Sequence, residues 1–256
     1  MSHTVTVRRE GYVAEVLFCS PPNNHVSTEL LAELGAALEQ LDAEVDCRAI
    51  VLASEGKPFC AGADLAANDG LGGSASNPIR QFYDQALRLF ATSKPIVAAV
   101  QGAAIGAGLG LAVAADFRIA APEARFAANF TRLGFHPGFG LTHMLPRLIG
   151  VHRANLMFMT SRRFKAEDVV EWGLVDEVVA AVDLRDAALT LAAEIAENAP
   201  LALIATRKTV RAQLYQQVAA TLEHELAEQA ILRKTADYAE GVASVFERRP
   251  AHFTGR

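Results

Sequence analysis

The chain has 256 residues, 51% of them apolar, with a formal net charge of −5, a size that suits one large domain or a core plus a small appendage. Balanced charge gives no reason to expect nucleic acid or an anionic membrane as partner. Cys19, Cys47 and Cys60 are widely spaced and odd in number, which suits a reducing cytosol better than a disulfide framework, and residues 1–18 lack the apolar core of a signal peptide, so a cytoplasmic protein is expected.

Residues 4–9 and 13–18 alternate as strands do, with Glu10-Gly11 as a hairpin signal between them. The cluster Ser20-Pro21-Pro22-Asn23-Asn24 stops the second strand. Ser27 or Thr28 then caps a helix whose Leu30, Leu31, Leu34, Leu38 and Leu41 keep helical spacing. Residues 48–53 read as a short buried strand, and residues 54–65 as a loop with no period. Residues 68–77, rich in Gly, Ser and Asn, are read either as an ordinary surface loop or as a mobile wall beside a site. Helix signals return over 78–91.

Residues 94–116, KPIVAAVQGAAIGAGLGLAVAAD, organise the rest: a β-like run from Ile96 to Val100, glycines at 102, 106, 108 and 110, then a run of small residues. This pattern predicts strand, tight turn and buried helix, with N–H groups left free at the helix start. Such groups form a ready site for negative charge, and Gly and Ala let a ligand approach the backbone closely. A membrane span has this length, but the content is mostly Ala and Gly and includes Gln101. A dinucleotide fingerprint fails because Leu111 stands where a third glycine is needed. Plain helix–strand packing is the competing explanation.

Further on, residues 117–120 read as a strand, 126–130 as a brief extended piece and 133–140 as irregular. Residues 141–148 and 154–159 read as helical, and 177–180 as a last strand. From about residue 198 onward only helices are expected. A core over 1–197 followed by a helical region over 198–256 is the expected division, with the strand–loop–helix layout ending at Leu65 repeated at Gly110.

A second corner, Cys60-Ala61-Gly62-Ala63-Asp64-Leu65, follows a strand as the glycine turn does. Two such corners, each offering an N–H, can converge on one carbonyl oxygen and stabilise an enolate or a tetrahedral oxyanion. At this point the chain resembles the crotonase superfamily, the enoyl-CoA hydratase/isomerase family. The Phe59–Leu65 stretch is similar to its F-x-A-G-x-D-L block, and Gln101–Ala112 to its N-G-x-x-x-G-G-G-x-E-L-A block. Asp116 matches the Asp that follows, and Pro21-Pro22-Asn23-Asn24 resembles an early P-P-x-N turn. Residues 172–175 and 246–253 fit later patterns.

The resemblance implies an α/β fold, a ββα spiral core with a C-terminal helical region that packs against neighbours in homotrimers or dimers of trimers. It implies an acyl-CoA thioester as substrate, with coenzyme A entering as part of that substrate and no further cofactor, metal, nucleic acid or membrane. The N–H groups of Ala63 and Ala107 would be the oxyanion donors. Asn23, Ala61, Asp64, Leu65, Gly106 and Phe130 would line the CoA and acyl path. The reaction class is enolate-forming: isomerisation, hydration or elimination, or C–C cleavage.

Hydratases of the family carry two glutamates that activate water, and these fall at Gly110 and Phe130, so hydration by that route is doubtful. His136, in the irregular loop, is the candidate proton-handling group, with the alternative that it merely bonds backbone. His25 and Tyr83 could reach the site from a turn and a helix. A catalytically silent acyl-CoA-binding protein on the same fold is the rival reading.

Overall fold

The computed structural model describes residues 3–64 and 78–256; the loop signal at 68–77 and Leu65 lie outside them. The chain opens with β1 (Thr4–Glu10), β2 (Val13–Cys19), α1 (Thr28–Ala43) and β3 (Ala49–Ser54). After α2 (Pro78–Arg88) come β4 (Ile96–Val100), β5 (Ala103–Ile105), α3 (Ala107–Ala114), β6 (Phe117–Ala120) and β7 (Arg125–Ala127). A single 3-10 turn over Thr131–Leu133 precedes α4 (Leu141–Thr160), β8 (Phe164–Lys165), α5 (Ala166–Val170) and β9 (Glu177–Val178). Four helices finish the chain: α6 (Leu184–Ala196), α7 (Pro200–Val210), α8 (Leu214–Leu232) and α9 (Ala236–Phe246).

β1 and β2 form the expected hairpin, turning at Gly11, whose φ of 56° favours glycine. From β2 onward the main sheet is parallel, in the order β1-β2-β3-β4-β6-β9. Both faces of its centre are covered, as parallel sheets require. Ala14, Val16 and Phe18 pack toward Leu30, Leu34 and Leu38 of α1. Val13, Leu17, Val51, Val97 and Ile119 pack toward Leu184, Ala188 and Ala192 of α6. That second cover explains why β2 is buried almost end to end rather than alternating. Ser27 caps α1, its hydroxyl accepting from the Leu30 N–H at 3.2 Å.

Three sequence expectations change. The extended piece ends at Ala127; Phe130 has helical dihedrals and starts the 3-10 turn. A second small sheet, β5-β7-β8, was not expected, because its strands are only two or three residues long. The helical signals over 141–148 and 154–159 are one element bent at Gly150, where φ is 78° and ψ 156°. Residues 96–115 divide into β4, β5 and α3 rather than one long helix. No single described helix is long and apolar enough to cross a membrane.

Asp116 locks the end of this stretch into the frame. It accepts from the Ile96 N–H (2.9 Å), the Arg207 Nε (3.0 Å) and the Arg211 Nη1 (2.8 Å), tying β4 to α7.

Candidate active site

The two corners meet because their backbones are paired and their side chains are nearly absent. Cys60 bridges Ala104: its N–H donates to the Ala103 carbonyl at 2.8 Å, and its carbonyl accepts from the Ile105 N–H at 3.0 Å. A Cβ on Gly108 would stand 2.1 Å from that Cys60 carbonyl, so only glycine lets α3 start this close to the first corner. The first corner is also pinned to the loop before α1. The Val26 N–H donates to the Gly62 carbonyl (2.9 Å), and the Asp64 N–H to the Val26 carbonyl (3.1 Å). Between those bonds the Ala63 N–H has no acceptor among the described residues.

At the second corner Gly106 takes φ 54° and ψ −113°, a glycine conformation, and donates its N–H to the Ala127 carbonyl at 2.9 Å. The first bond of α3 runs from the Gly110 N–H to the Gly106 carbonyl at 3.1 Å. The Ala107 N–H precedes that ladder and has no acceptor among the described residues. Both alanines line one cavity of about 270 Å³. Two free N–H groups, one of them at a helix N-terminus, can there donate to a polarised carbonyl oxygen.

The cavity is walled largely by aromatic and aliphatic side chains, among them Phe82, Phe130, Phe135, Phe139 and, from α9, Val245 and Phe246. Its polar side chains are His25, Asp64, Tyr83 and Asn129. The Nδ1 of His25 is buried without a hydrogen-bond partner. Burial pushes the Tyr83 hydroxyl well above its ordinary range, so it stays protonated. Cys60, beside the first corner, is no nucleophile: burial pushes its thiol up to about 12.

The cavity brings together Ala61, Ala63, Asp64, Gly106, Ala107 and Phe130 of the residues expected from the sequence. Asn23 is exposed and reaches the site only through its backbone, its carbonyl accepting from the Ala61 N–H at 3.2 Å. Its neighbour Asn24 does the structural work. Buried, it accepts from the Ser20 N–H (2.8 Å) and donates to the carbonyls of Glu55 (2.5 Å) and Pro58 (2.9 Å).

His136 is a correction. It is not among the cavity-lining residues; its Nδ1 lies 2.7 Å from the Pro137 carbonyl oxygen and its ring stands edge-on to His224. The dense prolines and glycines around it turn the side chain toward α8, which carries His224, as the backbone-bonding alternative anticipated. His25, by contrast, does line the cavity.

Gly110 owes its identity to Phe139. A Cβ there would stand 2.4 Å from the Phe139 ring, so the ring fills the volume that a glutamate at 110 would enter. Phe139 itself sits at φ 64°, a costly conformation for an aromatic residue. Sequence reasoning passed over Asn129 and Val245; spacing alone cannot tell that a distant helix closes the cavity.

Residues 8–256 match the family model described as Enoyl-CoA hydratase/isomerase. The chain is 38% identical over 256 residues to a protein named probable enoyl-CoA hydratase from Rhodobacter capsulatus, covering 99% of each. It is 32% identical over 240 residues to the 1,2-epoxyphenylacetyl-CoA isomerase of Escherichia coli, covering 91% of each. A solved enoyl-CoA hydratase/isomerase from Pseudoalteromonas atlantica superposes with a TM-score of 0.87 at 29% identity, over 98% of this chain and 99% of that one.

Proposed function

The chain belongs to the enoyl-CoA hydratase/isomerase family of crotonase-fold proteins, and on that footing we propose that it binds an acyl-CoA thioester and stabilises its enolate in an oxyanion hole made by the N–H groups of Ala63 and Ala107. The observation that carries this reading is the pair of acceptor-free N–H groups lining one cavity.

Proton transfer within the acyl group, such as double-bond isomerisation, suits the wall better than addition of water. A phenyl ring at 130 cannot move protons, and Phe139 occupies the space beside Gly110. Isomerisation balances with one base. A C–H bond breaks, its electron pair delocalises onto the thioester oxygen held by Ala63 and Ala107, and the proton returns to a different carbon. His25 takes over the role expected of His136: it lies in the cavity and its Nδ1 has no competing partner. The CoA moiety, which stays attached throughout, would extend from the cavity past Ala61 toward Asn23. The exposed apolar Leu201, Val210 and Ile231 of α7 and α8 offer surface for self-assembly into trimers, which sedimentation would test.

The test incubates the protein with a panel of acyl-CoA thioesters and reads products by mass spectrometry, alongside an Ala107→Pro variant. Proline is tolerated at the first position of a helix and deletes one donor N–H. Loss of that donor predicts a drop in turnover of roughly 10²–10³-fold. Binding by calorimetry with no product from any thioester would instead support the silent-binder reading, which the aromatic residues near both glutamate positions favour.

A further inference from the structure

Tyr83, on α2, is buried in the cavity wall, and its hydroxyl is held by one partner. The Nε2 of Gln229, on α8, lies 2.9 Å from the Tyr83 Oη and 2.9 Å from the His136 backbone carbonyl. A backbone carbonyl can only accept, so the atom between the two must be the amide nitrogen, not the amide oxygen. Tyr83 therefore accepts from Gln229. Its own O–H hydrogen has no acceptor among the described residues.

Two further features keep this arrangement. A Cβ on Gly138 would stand 1.9 Å from the Tyr83 Oη, so the glycine clears the hydroxyl's place. Gln229 is fully buried and leaves its own Oε1 without a partner. The amide thus forgoes a bond of its own to donate twice. A buried donor in an apolar cavity is costly unless something fills its bond.

We propose that Tyr83 is a specificity-determining residue that donates a hydrogen bond to an oxygen carried by the acyl group, so that the preferred substrates are oxygenated acyl-CoA thioesters rather than plain hydrocarbon ones. Gln229 is its positioning residue: by occupying the hydroxyl's acceptor side it obliges the hydrogen to be offered elsewhere, and the cavity is the open space that Tyr83 lines. A site built around a donor rejects the analogue lacking its partner more strongly than an apolar pocket rejects an added group.

This inference rests on the acyl-CoA reading, and its experiment separates the two. Calorimetry compares matched pairs of thioesters with and without an acyl oxygen: 3-oxobutanoyl-CoA and 3-hydroxybutanoyl-CoA against butanoyl-CoA, and hydroxyphenylacetyl-CoA against phenylacetyl-CoA. Wild type should prefer the oxygenated member of at least one pair by roughly tenfold or more. In Tyr83→Phe that ratio should fall below about threefold. Gln229→Glu, whose carboxyl oxygen can accept the tyrosine hydrogen but no longer donates to the His136 carbonyl, should lower the same ratio while binding of the oxygen-free member is retained. Binding of every pair with ratios near one, unchanged in Tyr83→Phe, overturns the role of Tyr83 and leaves the acyl-CoA reading intact. Absence of binding to any thioester overturns both.

Discussion

Gly110 and Phe139 reverse the usual arithmetic of glycine in a helix. Replacing a mid-helix glycine by alanine ordinarily adds about 0.5–1 kcal/mol of stability. Here the added methyl meets the Phe139 ring, so Gly110→Ala should instead cost about 1–3 kcal/mol, read from chemical denaturation midpoints. Phe139→Ala should make the second substitution tolerable, and the double variant should lose less than the sum of the two singles. Additivity would mean the ring has room to move aside. At the same scale, His25→Ala should cut turnover while leaving thioester binding measurable, and His136→Ala should leave turnover within a fewfold of wild type. The opposite ranking would return the proton-handling role to His136.

Elements show where local pattern carries information and where it does not. The β1–β2 hairpin and α1 were legible because a hairpin glycine and a serine cap are local signals, whereas the alternation read in both strands does not appear in their burial. The two corners were legible for the same reason: strand-end glycines announce turns whatever surrounds them. β5 and β8 were not, since strands of two or three residues have no period to detect. Nor was the placement of α8 and α9, whose Gln229, Val245 and Phe246 act on residues more than a hundred positions earlier in the chain. Asp116 was matched as a motif residue, but its work is mechanical: it gathers β4 and α7 through three hydrogen-bonded partners. Asp116→Ala strands two largely buried arginines, so roughly 3–5 kcal/mol of stability should vanish in a urea titration. A loss under about 1 kcal/mol would mark the cluster as an ordinary surface pair.

For the whole molecule, the most telling titration is that of Glu225. Fully buried on α8, it accepts from the N–H groups of Gly140 (2.8 Å) and Thr142 (3.0 Å) and from the Thr142 hydroxyl (2.6 Å), binding α8 to the start of α4. Burial outweighs those donors and pushes its carboxyl from 4.5 up to about 7. The folded state therefore holds a proton that the unfolded chain releases between those values. This contribution is complete below pH 4.5 and is lost as pH rises through about 7. Stability should fall between pH 5 and 8 by up to about 3 kcal/mol from this group alone, and Glu225→Gln should flatten the fall. An unchanged slope in that variant would assign the effect to other groups.

Everything proposed for catalysis depends on where the thioester oxygen settles. A crystal structure with a non-reactive acyl-CoA analogue measures that directly. The oxygen should lie about 2.7–3.1 Å from the nitrogens of both Ala63 and Ala107, with the acyl group running toward Phe130 and Tyr83. An analogue bound with its carbonyl turned away, and both N–H groups left to water, would contradict the account.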